Sequence, residues 1–267
     1  MKLVKAHAFG NDFLLVPAAE ARSLGDLSAA TRALCDRHRG IGADGLIVYD
    51  TDARRTSMRL LNADGSRSEI SGNGVRCLAA WLATTAGAAP GSCIDIETEA
   101  GTKRLELLSE GSGRRTFRAA MGRPEELTRT RIVVHSTSVD AITLRVGNPQ
   151  CVVLGEVNEE RLRTIASALA VHPHFPEGTN VELASVEAAD RVRILNRERG
   201  VGPTESSGPG ACAAAAAAIQ FGGASRAVDV VAPGGTQRVE WEDDGLYLTG
   251  WAEIVAELTW LRADNPN

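Results

Sequence analysis

Laid on itself at an offset of about 136 residues, the 267-residue chain repeats. Met58-Arg59-Leu60-Leu61-Asn62 returns as Val192-Arg193-Ile194-Leu195-Asn196, and Glu69-Ile70-Ser71-Gly72-Asn73-Gly74 returns as Glu205-Ser206-Ser207-Gly208-Pro209-Gly210. Gly10-Asn11 likewise matches Gly147-Asn148. Three blocks in one order, at offsets of 134 to 137, are hard to obtain by chance, so the chain reads as an internal duplication. The length agrees, because about 150 residues per domain predicts two. The expected lobes are residues 1–117, with 253–267 as a candidate addition, and residues 118–252.

Short β-rich runs bounded by Gly, Asn, Asp or Pro predict strands at 2–8, 13–16, 46–49, 57–61, 93–97, 131–135, 142–146, 152–154, 192–195, 227–231 and 245–248. A further strand-like stretch at 254–260 is expected to cross back to the first lobe. Helices are expected at 27–38 behind Asp26 and at 159–169 behind Asn158, both good N-caps. Two more, at 72–85 and 208–220, are Ala-rich and carry little charge, so they should be buried. The expected class is therefore α+β: two pseudo-symmetric lobes, each a mixed β-sheet wrapped around a central helix.

The longest apolar run, from Ala211 to Ile219, has nine residues, about half of a membrane span. Lys2, Lys5 and His7 interrupt the N-terminal segment, so it lacks the apolar core of a signal peptide and a cytoplasmic location is expected. A net charge of -5, without a basic block, argues against nucleic acid as a partner. Five widely spaced cysteines and no CxxC pair read as buried, reduced thiols.

Each repeated block places Ser-Gly-x-Gly at the start of an Ala-rich helix, where backbone N–H groups and the positive end of the helix dipole meet. Such a spot attracts an anion. If the lobes are related by symmetry, both helix starts should converge on one cleft and hold a single carboxylate. Serine is also a favoured N-cap, so a purely structural role is the competing reading. Asn11, Asn62, Asn148, Asn180, Glu198 and Arg199 are the candidate ligand residues nearby. Arginine can grip a carboxylate and glutamate an ammonium group, which suits an amino acid. Turn duty competes for every one of these asparagines, and Glu198-Arg199 also fits a solvated surface pair.

Other motifs carry less. Gly40-Ile41-Gly42-Ala43-Asp44-Gly45 follows a helix and precedes a strand, the reverse of a dinucleotide-binding turn. His172-Pro173-His174 lacks supporting ligands and reads as a surface loop, so no metal is expected. No lysine stands in a recognisable Schiff-base context, and no cofactor is expected.

Taken together, the blocks HAFGNDF (7–13), CDRHRGIGADG (35–45), NADGSRSEISGNGVRC (62–77), VGNPQC (146–151), FPEGTN (175–180) and ERGVGPTESSGPGACA (198–213) resemble the diaminopimelate epimerase family. The resemblance runs through almost the whole chain. It implies a cofactor-independent isomerase that interconverts LL- and meso-diaminopimelate for lysine biosynthesis. It places ligand contacts on Asn11, Asn62, Asn148, Asn180, Glu198 and Arg199, and the α-carboxylate on the backbone at Gly72-Asn73 and Gly208-Pro209. The implied partner is a small amino acid with a carboxylate, and a homodimer is compatible with the sequence.

In that family two cysteines, one on each side of the α-carbon, act as base and acid. They correspond to positions 71 and 207, and both are serine here. Each pKa unit of mismatch is worth about 1.4 kcal/mol, so the gap between alcohol and thiol exceeds the roughly 2 kcal/mol that a helix dipole can supply. Ser71 and Ser207 therefore need partners that take or return their protons, and Glu69 and Glu205 are the candidates the duplication offers. Gln150, Pro203 and Pro209 also depart from the family pattern, and Pro209 removes a backbone donor. The expected function is an amino-acid epimerase of diaminopimelate type. The alternatives are a related isomerase or dehydratase acting on another small amino or hydroxy acid, and a binding protein that kept the ligand residues without the chemistry.

Overall fold

The computed structural model describes residues 1–52 and 55–261, which fall into two compact units. One consists of Met1–Phe117 and the segment that begins at Trp251, and the other of Arg118–Gly250.

In the first unit, β1 (Lys2–Ala8) and β2 (Asn11–Pro17) form an antiparallel hairpin. Its two-residue turn has positive φ at both Phe9 (54°) and Gly10 (86°), the turn that matches the natural strand twist. A short helix, α1 (Ala18–Ala21), runs into a 3-10 turn and is followed by α2 (Leu27–Cys35), where Asp26 accepts from the N–H groups of Ser28 and Ala29. Next, β3 (Gly45–Thr51) joins β2 in parallel, β4 (Thr56–Asn62) runs antiparallel to β3, and the short β5 (Arg67–Ser68) folds back on β4. The long helix α3 (Gly72–Ala86) ends at Gly87, whose left-handed conformation caps it. After it, β6 (Cys93–Thr98) lies parallel to β4, β7 (Gly101–Gly111) runs antiparallel to β6, and β8 (Arg114–Gly122) leaves the unit. Strand alternation divides the core. Leu14, Val16 and Leu46 pack with Leu24 and Leu34, whereas Phe13 and Ile47 turn toward Gly74 of α3.

The second unit starts with a long hairpin of β9 (Glu125–Val134) and β10 (Thr137–Val146), continued antiparallel by β11 (Asn148–Leu154). A helical segment follows as α4 (Glu159–Arg161), a π-helical turn over Leu162–Ala166, and α5 (Ser167–Ala170). Then β12 (Asn180–Ala188) lies parallel to β11, β13 (Arg191–Glu198) antiparallel to β12, and β14 (Gly202–Thr204) antiparallel to β13. Helix α6 (Gly208–Phe221) packs on β10 to β13. It also packs on β15 (Ala227–Ala232), which is parallel to β13, and on β16 (Gly235–Trp241). Ala213 through Ala218 are all fully buried, because methyl-sized side chains let the sheet close on the helix. On the other face of the sheet, Cys151, Val153, Val181 and Leu183 pack with Leu162 and Leu169.

The last strand, β17 (Leu246–Thr259), pairs with β16 through its first half. Its second half belongs to the first unit and pairs with β1 from Lys2↔Thr259 to His7↔Glu253. The expected stretches 245–248 and 254–260 are thus one strand, and residues 262–267 of the candidate addition lie outside the described residues.

Several expectations are corrected. The helix expected over 27–38 stops at Cys35, because the Asp36 carboxylate accepts from the N–H groups of His38 and Arg39 and bends the chain away. The helix expected over 159–169 is helical throughout behind Asn158, with a π-helical turn over Leu162–Ala166 inside it. Cys93 is exposed, so the thiols are not all buried. Strands over 101–111, 114–122, 180–188 and 235–241 had not been anticipated. No helix among the described residues is long and apolar enough to cross a membrane.

Candidate functional site

Ser71 and Ser207 are the N-caps of α3 and α6. Ser71 has φ -132° and ψ 122°, and Ser207 has φ -137° and ψ 125°. The Ser71 Oγ accepts from the Gly74 N–H at 3.1 Å, and the Ser207 Oγ accepts from the Gly210 N–H at 3.2 Å. Each hydroxyl therefore sits at the positive end of a buried helix with its own proton free to point elsewhere.

Around Ser71 the first-turn amides of Gly72 and Asn73 point out of the helix end. The Asn73 side chain is buried, donates to the Asn11 Oδ1 at 3.3 Å and accepts from the Arg76 guanidinium. Asn11 in turn donates to the Asp44 carboxylate at 2.7 Å. Asp44 and Asp12 are both held by Arg37, and Lys5 reaches Asp12 at 3.0 Å. Burial raises the Asp12 carboxyl, but hydrogen bonds from Arg37 and Lys5 outweigh it and hold the group below its ordinary value. Asn73, Asn11 and Asp44 thus belong to one network, which begins two residues after Ser71. Asn62 does turn duty: its carbonyl accepts from the Gly65 N–H, and its side-chain amide donates to the Ser66 Oγ at 3.0 Å. Arg76, the one charged residue of α3, is buried under the Phe9 ring and was not anticipated. An arginine inside an otherwise uncharged Ala-rich helix was its signal.

Ser207 lies at the polar end of the second sheet. Gln150, Asn180, Glu182, Asn196 and Glu198 occupy alternate positions on β11, β12 and β13, on the face that carries Val152, Ala184 and Ile194 against α6. Gln150 donates to the Asn148 Oδ1, and the Asn180 Oδ1 accepts from the Arg199 N–H at 2.8 Å. Thr204 donates to the Glu198 carboxylate at 3.2 Å. The Arg199 guanidinium donates to the Glu177 carbonyl at 2.7 Å and lines a groove of about 540 Å³ with Phe175, Arg197, Glu198 and Val201. Pro209 has no N–H, so at this helix end only Gly208 presents an outward amide. Glu69 and Glu205, the proton partners suggested by the duplication, are both exposed.

A different carboxyl is buried here. Glu182 is 1% exposed and faces Asn196, also 1% exposed, across β12 and β13. The Oε2 of Glu182 and both polar atoms of the Asn196 side chain are buried without a hydrogen-bond partner among the described residues. Burial, and the nearby Glu198 charge, push the Glu182 carboxyl well above the ordinary range and so favour its protonated form. Its sequence signal was a lone glutamate in the apolar run Asn180-Val181-Glu182-Leu183-Ala184.

The profile of the family described as diaminopimelate epimerase matches residues 3–126 and 142–255. A diaminopimelate epimerase of Desulforudis audaxviator is 38% identical over 98% of this chain and 100% of its own length. That of Moorella thermoacetica is 39% identical over 96% and 97%. Among solved structures, a predicted epimerase of Pseudomonas aeruginosa superposes with a TM-score of 0.74 at 16% identity, covering 98% of this chain and 99% of that one. A hydroxyproline epimerase of Agrobacterium vitis, with bound trans-4-hydroxy-L-proline, superposes with a TM-score of 0.70 at 16% identity over 97% and 91%. These two similarities concern the fold.

Proposed function

Because the chain belongs to the diaminopimelate epimerase family, we propose that it is a cofactor-independent amino-acid epimerase of the cytoplasm, acting on diaminopimelate or a close analogue. The two lobes are then copies of one ancestral unit. Ser71 and Ser207 address opposite sides of the α-carbon, one removing the α-proton while the other returns one. The outward amides of Gly72, Asn73 and Gly208 receive the α-carboxylate and stabilise it as it takes on enediolate character, with Pro209 shaping the second helix end. Asn11, Asn148 and Asn180 hold the substrate's polar groups, Asn62 adds its side-chain oxygen from the turn it shapes, Glu198 holds the ammonium and Arg199 a carboxylate.

One observation carries this reading: two serines in matching sequence blocks cap two buried helices with the same backbone angles and the same bond to the third amide. A helix end of that kind lowers the energy of negative charge developing beside it. The replacement of thiol by hydroxyl makes the reaction slow. Incubation with LL-diaminopimelate in D₂O, followed by NMR of the α-proton, tests the assignment. Loss of the α-proton signal with formation of the meso isomer is expected, and tight binding without any exchange would overturn it.

A further inference from the structure

The two helix ends match in backbone and differ in what lies beneath them. A Cβ built on Gly74 of α3 would meet the Ile47 Cδ1 at 3.0 Å, the Ser71 Cβ at 3.3 Å and the Phe13 ring at 3.6 Å. Apart from the serine itself, these neighbours are apolar. A Cβ built on the corresponding Gly210 of α6 would meet the Glu182 Oε1 at 2.7 Å, the Asn196 Oδ1 at 3.1 Å and the Ser207 Cβ at 3.1 Å. The absence of a side chain at Gly210 therefore lets a buried carboxyl, a buried amide and the capping serine gather within 3.1 Å of one point. On β3, Gly45 stands opposite Asn62, as Glu182 stands opposite Asn196. The first unit thus has a glycine where the second has a carboxyl.

Resting on the epimerase reading above, we propose that Glu182 is a positioning and proton-storing residue for Ser207, which makes the two serines chemically unequal. As Ser207 returns a proton from Oγ to the substrate carbanion, the Glu182 carboxyl passes its proton to that Oγ and is left as carboxylate. In the reverse direction the α-proton goes to the Ser207 Oγ, and the serine's own proton goes to the Glu182 carboxylate. At Ser207 no proton is created or lost; at Ser71 the hydroxyl passes its own proton to solvent water as it takes the α-proton, a slower route. No carboxyl is among the atoms nearest the corresponding point on Gly74, so the Ser207 side exchanges protons with solvent faster than the enzyme completes an epimerisation.

Glu198 on β13 and the uncharged Asn196 and Gln150 share the sheet face of Glu182, and the Cys151 thiol of β11 feels its charge from the opposite face. No cation is among them. The carboxyl stays protonated until pH rises well beyond the ordinary glutamate range. Abstraction by Ser207 needs the carboxylate, so it accelerates as pH rises.

LL- and meso-diaminopimelate are incubated separately in D₂O with the whole protein, and the reactive α-proton is followed between pH 6 and 9. One isomer is expected to exchange at least tenfold faster than the other and faster than it epimerises, with a rate that climbs with pH. Glu182→Gln, close in shape and unable to give up a proton, is expected to lower that exchange at least tenfold and flatten its pH profile, with KM within about twofold. Glu182→Asp is expected to restore part of the rate. Equal exchange of the two isomers, or an unchanged pH profile in Glu182→Gln, overturns the inference. If the wild type epimerises LL-diaminopimelate but exchanges the two isomers at equal rates, the role of Glu182 falls and the epimerase reading stands. If the folded wild type binds and exchanges neither isomer, both fall.

Discussion

Arg37 clasps Asp12 with both terminal nitrogens, at 2.7 and 3.2 Å, and Asp12 directly follows Asn11 in the chain. The same guanidinium reaches Asp44 at 2.8 Å, and Asp44 accepts from Asn11. The side chain proposed to hold substrate is thus anchored through a charged cluster. A carboxyl held below its unfolded value contributes stability above that value and loses it as pH falls through the folded one. Asp12→Asn is expected to cost about 1–3 kcal/mol at pH 7, since Arg37 and Lys5 lose their shared acceptor. In urea unfolding the gap from wild type should narrow below about pH 4. A gap that stays constant down to pH 2 would contradict this account.

Restoring thiols at the two caps should restore rate. A thiol ionises near pH 8.5 and lower still at a helix start, where a hydroxyl does not. Ser71→Cys with Ser207→Cys is expected to raise the epimerisation of LL-diaminopimelate by at least a hundredfold over wild type, measured by coupled assay or NMR. No gain in a folded double variant would count against the substrate assignment.

Thiol counting offers an independent check of the fold. Cys35, Cys77, Cys151 and Cys212 are buried and Cys93 is exposed. Burial pushes Cys35 up to about 12 and raises Cys77 and Cys151 as well. A disulfide reagent at pH 8 should therefore titrate one thiol per native chain and five after denaturation. Two or more fast-reacting thiols in the native protein would show that the buried set is accessible.

Gly40 sits against the end of α2, where an added Cβ would lie 2.2 Å from the Ala33 carbonyl oxygen and 2.6 Å from that of Leu34. Backbone atoms cannot step aside as a side chain can. Gly40→Ala is expected to destabilise by about 1–3 kcal/mol, read as a lower Tm. An unchanged Tm would mean that the loop after α2 moves freely.

Most of this architecture is written in local pattern. The Ser-Gly starts and Ala-rich bodies of α3 and α6 mark two buried helices, and strands such as Lys2–Ala8 carry ordinary hydrophobic punctuation. The strand Gly101–Gly111 escaped because it alternates weakly and buries only Leu105 and Leu107; pairing with β6 overrides its propensity. Glu182 escaped for another reason: a glutamate in an apolar strand reads as an edge or a flaw until the register places it opposite Asn196 and beneath Gly210. Arg76 reaches Asn73 within its own helix, but only the fold brings it under the Phe9 ring.

The six alanines at the centre of α6 have no rotamers to freeze, so docking this rod loses almost no side-chain entropy. They also leave nothing that can shift to make room. A larger residue such as valine at Ala215 should push the sheet outward and tilt the rod, moving Ser207 at its tip even though the change lies two turns away. The placement of the reactive hydroxyl is in this sense set by the thinness of the helix that carries it.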